Sequence, residues 1–294
     1  MGTATSTISR TPAAQNSAAD PLPVFIVTGL GADPALLERL LDHHPEVHAG
    51  CDAPAIEPGA PDALRKTIES LVAGAVREAS MSLRLAGRPP APLQFVCAAL
   101  APSDQARWEP LLRDFAGARV LSLIRDGRDV IVEQRLASLR PTRHDGLSSA
   151  ARSYALSAAA FHVGVPSPTQ PRASGVPVSL FCPESLRAHT TRWIASLRTP
   201  LLAAELLGDR ARIVRAEDLI TDTIRAHAST CHWLGLAGDA AHIHRAVVSA
   251  RPQLNAAAHP GLWRAFLSES DITGFKRMAG ELLVELGYER GTDW

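Results

Sequence analysis

The sequence predicts an α/β domain of three layers, in which a central parallel sheet is flanked by helices on both sides. Three short apolar runs, at residues 23–27, 93–97 and 120–124, have the length and composition of buried parallel strands. Longer segments between and after them carry apolar residues at helical spacing. This alternation is typical of a parallel α/β sheet, and 294 residues suit one large unit of that kind.

The elements of the first half follow from local patterns. The first apolar run ends in a turn at residues 28–31, and the helix after it ends before Pro45. A second helical stripe covers residues 64–76, so the predicted order up to residue 124 is β-α-α-β-α-β. The apolar stripe of the first helix is Leu36, Leu37, Leu40 and Leu41.

The second half begins with a polar turn at residues 125–129, which leads into a helix through about residue 139. A helix is predicted at residues 193–207 and a strand at 213–215, with further helices from about residue 221. In the last helix Ser268 is the predicted N-cap, and Gly287 ends it.

Two segments lack such patterns. Residues 1–22 are rich in Ser, Thr, Ala and Pro without a continuous apolar stretch, which predicts a disordered tail and no signal peptide. Five prolines between residues 163 and 183 predict a long loop. The folded domain is therefore expected to span residues 23–294.

Composition narrows the function classes. Thirty basic and thirty acidic residues give a formal net charge of zero, so no overall field attracts nucleic acid or an anionic membrane. Without a long apolar run or paired cysteines, we expect a cytoplasmic protein that acts on a small molecule and keeps its thiols reduced. Lys66 and Lys276 are the chain's lysines, and this preference for arginine indicates a GC-rich bacterial genome.

No metal site is predicted. The pairs His43-His44 and His242-x-His244 have no Cys or acidic partner at ligand spacing in the sequence.

Five motifs occur in an order that resembles the sulfotransferase family, most closely its bacterial and tyrosylprotein branches. They are Leu40-Leu41-Asp42-x-His44-Pro45-Glu46-Val47, Leu123-Ile124-Arg125-Asp126-Gly127-Arg128-Asp129-Val130, Val214-Arg215-x-Glu217-Asp218-Leu219, Trp233-Leu234-Gly235-Leu236, and the late pieces Trp263-Arg264 and Leu286-Gly287-Tyr288. The resemblance spans roughly residues 23–289. It implies a P-loop-like fold and the donor 3′-phosphoadenosine 5′-phosphosulfate (PAPS).

The resemblance implies that the turn after the first strand holds the 5′-phosphosulfate through backbone amides and through Arg, Ser and Thr side chains. A comparison without gaps places Gly31 where the family has Arg and Asp33 where it has Gly, while Ala32 replaces Ser. Pro34 and Ala35 replace the two threonines. Charge-assisted bonds contribute about 1.5–3 kcal/mol each, so these losses remove roughly 6 kcal/mol or more. We expect Asp33 and Pro34 to begin a helix as its N-cap and N1 residues, with the carboxylate on the amides.

The resemblance assigns the 3′-phosphate to Arg125 and to a Ser eight residues later, where this chain has Glu133. Glu133 would repel a phosphate, and Arg128 could compensate, whereas Arg125 and Asp126 could instead form a structural ion pair. Trp263 and Arg264 are further candidates for contacts with the donor, since an indole can stack on adenine.

Asp52 stands where the tyrosylprotein branch has its catalytic Glu, and Glu57 is a second, nearby carboxylate. Either could move a proton at the acceptor. Three functions stay open: an enzyme that has lost standard PAPS binding and catalyses another acid/base or transfer reaction; an active PAPS-dependent sulfotransferase with a hydroxyl or amine acceptor; and a non-catalytic partner subunit.

Overall fold

A computed structural model describes residues 21–52, 61–85, 93–99, 117–138, 180–237, 240–256 and 260–291. Its sheet has five parallel strands in the order β2-β3-β1-β4-β5. The strands are β1 (Leu22–Thr28), β2 (Val47–Asp52), β3 (Phe95–Ala99), β4 (Arg119–Ile124) and β5 (Ala211–Arg215). The predicted α/β fold with a central parallel sheet is confirmed.

The helices are α1 (Ala35–Leu41), α2 (Pro61–Leu85), α3 (Gly127–Ser138), α4 (Pro183–Ser196), α5 (Arg198–Leu207), α6 (Ala216–Thr221), α7 (Thr223–Leu234), α8 (Ala240–Ser249), α9 (Arg251–Ala256), α10 (Trp263–Phe266) and α11 (Glu269–Glu285). No helix in the described ranges is long and apolar enough to cross a membrane. The predicted tail lies outside the described residues except for residues 21 and 22. Residues 163–179 of the predicted loop also lie outside them.

Two apolar clusters lie on the two faces of the sheet. Side chains alternate along a strand, so Val24 and Ile26 of β1 join a cluster that includes the leucines of α1 and apolar residues of α7 and α8. The other cluster combines residues of α3, α4 and α11 around Trp193 and Phe275, whose rings lie 5.8 Å apart. Burial of both faces explains why β1, β3 and β4 are nearly continuous apolar runs.

Two local predictions were wrong. No strand was predicted between the first two helices, but residues 47–52 form β2. This edge strand pairs with β3, with a register irregularity between His48 and Cys51. The predicted helix at 193–207 is two helices, α4 and α5, which meet at Leu197. Pro200 lies in the first turn of α5, where a missing N–H is tolerated.

Both ends of α11 match their prediction. The Ser268 hydroxyl accepts the N–H of Asp271, and the Asp271 carboxylate accepts the N–H of Ser268, which completes a capping box. Gly287 follows the helix with φ of +74°, a conformation that glycine adopts without strain.

Strand order determines where a ligand can bind. The chain runs from β1 to β2 and β3 on one side of β1 and then to β4 and β5 on the other. The carboxyl end of β1 is therefore a topological switch point, where open α/β sheets bind ligands. The turn after β1, Arg125 after β4 and Asp52 at the end of β2 all lie at this carboxyl edge.

Candidate active site

The turn between β1 and α1 has a tightly constrained backbone. Gly31 has φ of +80°, and a Cβ there would lie 2.8 Å from a methyl carbon of Val130. An arginine at this position, as in the family pattern, would therefore strain the backbone and displace Val130. The turn is also tied to α4, because the N–H of Leu30 donates to the Ser196 hydroxyl at 2.9 Å.

Asp33 and Pro34 begin α1 in a way that differs slightly from the prediction. Pro34, not Asp33, occupies the N-cap position, and its carbonyl accepts the N–H of Glu38 at 2.9 Å. The Asp33 carboxylate nevertheless accepts the N–H of Ala35 at 2.9 Å. One amide of the first turn is thus bound by the chain's own carboxylate, and Pro34 offers no N–H at all.

Arg125 and Glu133 form a bidentate ion pair. Nη1 and Nη2 of Arg125 lie 2.7 and 2.5 Å from the two carboxylate oxygens of Glu133. Nη1 also donates to the carbonyl of Gly31 at 3.3 Å. The side chains are 8% and 16% exposed, so water screens the pair poorly. Arg125 pairs with Glu133 and not with Asp126, which corrects the structural pair considered from the sequence.

Arg128 is paired as well. Its guanidinium donates to both carboxylate oxygens of Asp126 and forms a further ion pair with Glu289. The same guanidinium lies over the Trp263 ring, 4.2 Å from its centroid, and that of Arg264 lies over the ring at 4.6 Å. Trp263 is 9% exposed, so its ring packs against these arginines and the core.

Asp129 joins α3 to the segment before α10. Its carboxylate accepts the N–H of Gly261 at 2.8 Å and that of Trp263 at 2.9 Å. Burial, with a smaller contribution from the neighbouring Asp126, raises the pKa of Asp129 from an ordinary 3.8 to about 6.

We expect Asp129 to produce a pH dependence of stability. Because its folded pKa exceeds its unfolded value, the stabilisation is complete below about pH 4 and is lost as the pH rises towards about 6. The difference in the free energy of unfolding between wild type and Asp129→Asn should therefore fall across this window. Urea unfolding at a series of pH values measures it. A difference that is independent of pH would contradict the assignment.

Glu217 belongs to the site, although no sequence pattern gave it a role. Its carboxylate accepts the N–H of Asp126 at 2.8 Å and the hydroxyl of Tyr288 at 3.1 Å. Burial raises its pKa. Glu217 and Tyr288 both lie within motifs that resemble the sulfotransferase family, and this resemblance was the sequence signal that could have identified them. Their contact links α6 and the end of α11 to the turn after β4.

Of the two candidate bases, Asp52 is the last residue of β2, and its backbone pairs in register with Ala99 of β3. Asp52 therefore lies at the end of an edge strand. Glu57 lies outside the described residues. The backbone of Asp52, the turn at Gly31 and Asp33, and Arg125 therefore lie along the same carboxyl edge of the sheet, with β3 between β2 and β1.

Comparison with known proteins supports the fold. No protein-family model and no curated protein sequence matches the chain. Among solved structures, mouse sulfotransferase SULT7A1 complexed with PAP is similar with a TM-score of 0.50, at 11% identity over 91% of this chain and 86% of that one.

Two further structures are similar at lower scores. The sulfotransferase domain from the curacin biosynthetic pathway has a TM-score of 0.42 and 15% identity, over 89% of this chain and 97% of that one. Sulfotransferase STF9 from Mycobacterium avium has a TM-score of 0.44 and 13% identity, over 91% and 77%. The five-stranded parallel sheet and the likeness to mouse SULT7A1 together show that this chain has the sulfotransferase fold.

Proposed function

We propose that this chain is an enzyme that uses the cleft of the sulfotransferase fold without PAPS and catalyses acid/base chemistry on a small molecule. The observation that carries the proposal is the bidentate pair of Arg125 and Glu133. The arginine expected to hold the donor's 3′-phosphate is bound by a carboxylate from its own chain.

Electrostatic magnitudes favour this conclusion. A phosphate charge about 4 Å from the Glu133 carboxylate would meet a repulsion of about 4 kcal/mol at an effective dielectric constant near 20. One charge-assisted hydrogen bond from Arg125 to the phosphate would stabilise the complex by only about 1.5–3 kcal/mol. A bound donor would therefore have to displace Glu133 and leave that carboxylate half-buried without its partner.

The 5′-phosphosulfate end meets a similar obstacle. Asp33 already accepts an amide of the first turn of α1, and its charge opposes an incoming sulfate or phosphate. The side chains present do not fit PAPS at either end. The carboxylate of Asp52, at the carboxyl edge, is of a type suited to proton transfer, and Asp52 is the candidate base.

The first test is a binding measurement. Calorimetry with adenosine 3′,5′-bisphosphate should detect no binding by the wild type at ligand concentrations up to about 1 mM, which corresponds to about 4 kcal/mol of binding free energy. Micromolar binding would overturn the proposal and favour an ordinary PAPS-dependent sulfotransferase.

Glu133→Ser should restore part of the lost affinity. The variant releases the Arg125 guanidinium and introduces the family's hydroxyl, so the bisphosphate should bind roughly 10–100-fold more tightly than to wild type, in line with the gain of one charge-assisted bond. A rise in melting temperature with added bisphosphate, in the variant alone, is an independent readout. The control is Glu281→Ser, which changes charge equally at an exposed position of α11. Equal behaviour of the two variants would show that the ion pair does not block the site.

A further inference from the structure

A second cluster of titratable side chains lies away from the carboxyl edge, in the core between α7, α8 and α1. It consists of His227 and Cys231 on α7 and His242 on α8, here called the buried triad. The three residues are 0%, 0% and 4% exposed. One potential ligand atom from each lies within 4.8 Å of the others.

The geometry of the buried triad suits a metal ion. His227 and Cys231 are four residues apart, so they share one face of α7. The sulfur of Cys231 lies 3.8 Å from both ring nitrogens of His227, and the His227 and His242 ring centroids are 5.7 Å apart. Metal bonds to nitrogen and sulfur of about 2.0–2.3 Å place two ligand atoms roughly 3.5 Å apart. Small side-chain rotations would therefore close the site.

His44 lies beside the triad, but both of its ring nitrogens form other hydrogen bonds. Its Nδ1 accepts the N–H of Glu46 at 3.2 Å, which requires the proton on Nε2, and Nε2–H donates to the carbonyl of Ala237 at 3.1 Å. Its ring packs edge-on against His242 at 4.8 Å. His44 therefore forms a wall of the site, and three ligands are left.

Core packing alone accounts poorly for His227. Within the described part of the chain, the hydrogen-bond partner of both its ring nitrogens is the Cys231 sulfur at 3.8 Å, a weak acceptor. A buried polar group without a good partner costs about 1–3 kcal/mol, and an apolar side chain of similar volume would avoid that cost. A metal ion bound at His227 would satisfy it.

Charge and ligand type select the metal. Thiolate and imidazole are soft or borderline ligands that suit Cu(I) and Zn²⁺. The thiolate of Cys231 would neutralise a monovalent cation, whereas a divalent one would leave a net positive charge in an apolar core, where charge is costly. We propose that His227, Cys231 and His242 bind one Cu(I) ion in a three-coordinate site. The site is separate from the carboxyl edge and does not depend on the proposed function.

The test is an anaerobic titration of the full chain with Cu(I), supplied as its acetonitrile complex, against the chelator bicinchoninate. We expect one ion per chain to resist the chelator and to raise the melting temperature, because binding to the folded state alone stabilises it. Cys231→Ala and His242→Leu should each weaken Cu(I) binding by more than about 100-fold. Removal of a residue that only hydrogen-bonds to a metal ligand typically weakens metal binding by about 10–100-fold, so a larger loss indicates a direct ligand. Cys182→Ala and His232→Ala, which remove an exposed thiol and an exposed imidazole, should bind like wild type.

X-ray absorption on the loaded wild type tests the ligand set without any variant, and one Cu–S and two Cu–N bonds are expected. Failure to retain copper would overturn the site. So would retention that depends on Cys182. Tighter binding of Zn²⁺ than of Cu(I) in matched competition would overturn the charge argument that selects a monovalent ion.

Discussion

Asp52→Asn is expected to lower kcat/KM on the natural substrate by about 10²–10⁴-fold, the usual contribution of a general acid or base. Asp52 ends β2 at the carboxyl edge of the sheet, the same edge that carries the switch point at the end of β1. Asparagine keeps the size of the side chain but cannot take up a proton. The loss should therefore appear in turnover while the circular dichroism and melting temperature stay unchanged.

The measurement incubates the protein with a metabolite extract, with and without PAPS, and follows substrate and product masses. Activity should persist without PAPS and should require Asp52. The matched control is Asp209→Asn, because Asp209 is exposed and precedes β5 at the opposite, amino edge of the sheet. A product that gains a sulfonate only with PAPS would restore the ordinary sulfotransferase. No turnover under either condition would favour a non-catalytic partner subunit.

Trp193→Ala is expected to destabilise the fold by about 3–5 kcal/mol, the range for truncating a buried aromatic residue. Trp193 is fully buried, and its indole N–H donates to the carbonyl of Arg125 at 3.1 Å. A Cβ added at Gly127 would clash with the indole, so α3 begins directly against this ring. The truncation would leave a cavity and an unpaired carbonyl beneath the pair of Arg125 and Glu133.

Urea unfolding of wild type, Trp193→Ala and Trp193→Phe measures the effect. Phenylalanine restores most of the volume but not the hydrogen bond. Trp193→Phe should therefore lower the free energy of unfolding, but by less than Trp193→Ala does. The control is Trp233→Ala, since Trp233 is only half-buried and its ring lies near Arg119 at the other face. Equal losses at the two tryptophans would contradict the central role of Trp193.

Much of the fold could be predicted because its signals are local. Apolar runs identified β1, β3 and β4, a strand was predicted at residues 213–215 within β5, and helical periodicity identified α1 and α2. The capping box at Ser268 is a pattern of four residues, and the structure confirms it. β2 was missed because Val47–Asp52 contains a single β-branched residue, with His and Gly between. Its hydrogen bonds to β3 create the strand, and those partners lie far along the chain.

The site was only partly predictable for the same physical reason. The sequence placed Arg125 and Glu133 eight residues apart, and it predicted that Glu133 repels a phosphate and that Arg125 could pair with Asp126. It did not predict that Arg125 and Glu133 pair with each other. Arg125 lies between the end of β4 and the start of α3, and Glu133 lies on α3, so the packing of α3 against the sheet brings the two side chains together. Both side chains are largely buried, so water screens the pair poorly.

By itself, the sequence determined the fold class and most strands and helices, because these depend on periodicity, and it showed where its residues differ from the sulfotransferase motifs that it resembles. Only the tertiary structure decided which charges meet. Arg128 pairs with Glu289 across 161 residues, and His242 reaches Cys231 from the next helix. Such contacts depend on how helices pack against the sheet, and no spacing along the chain encodes that arrangement directly.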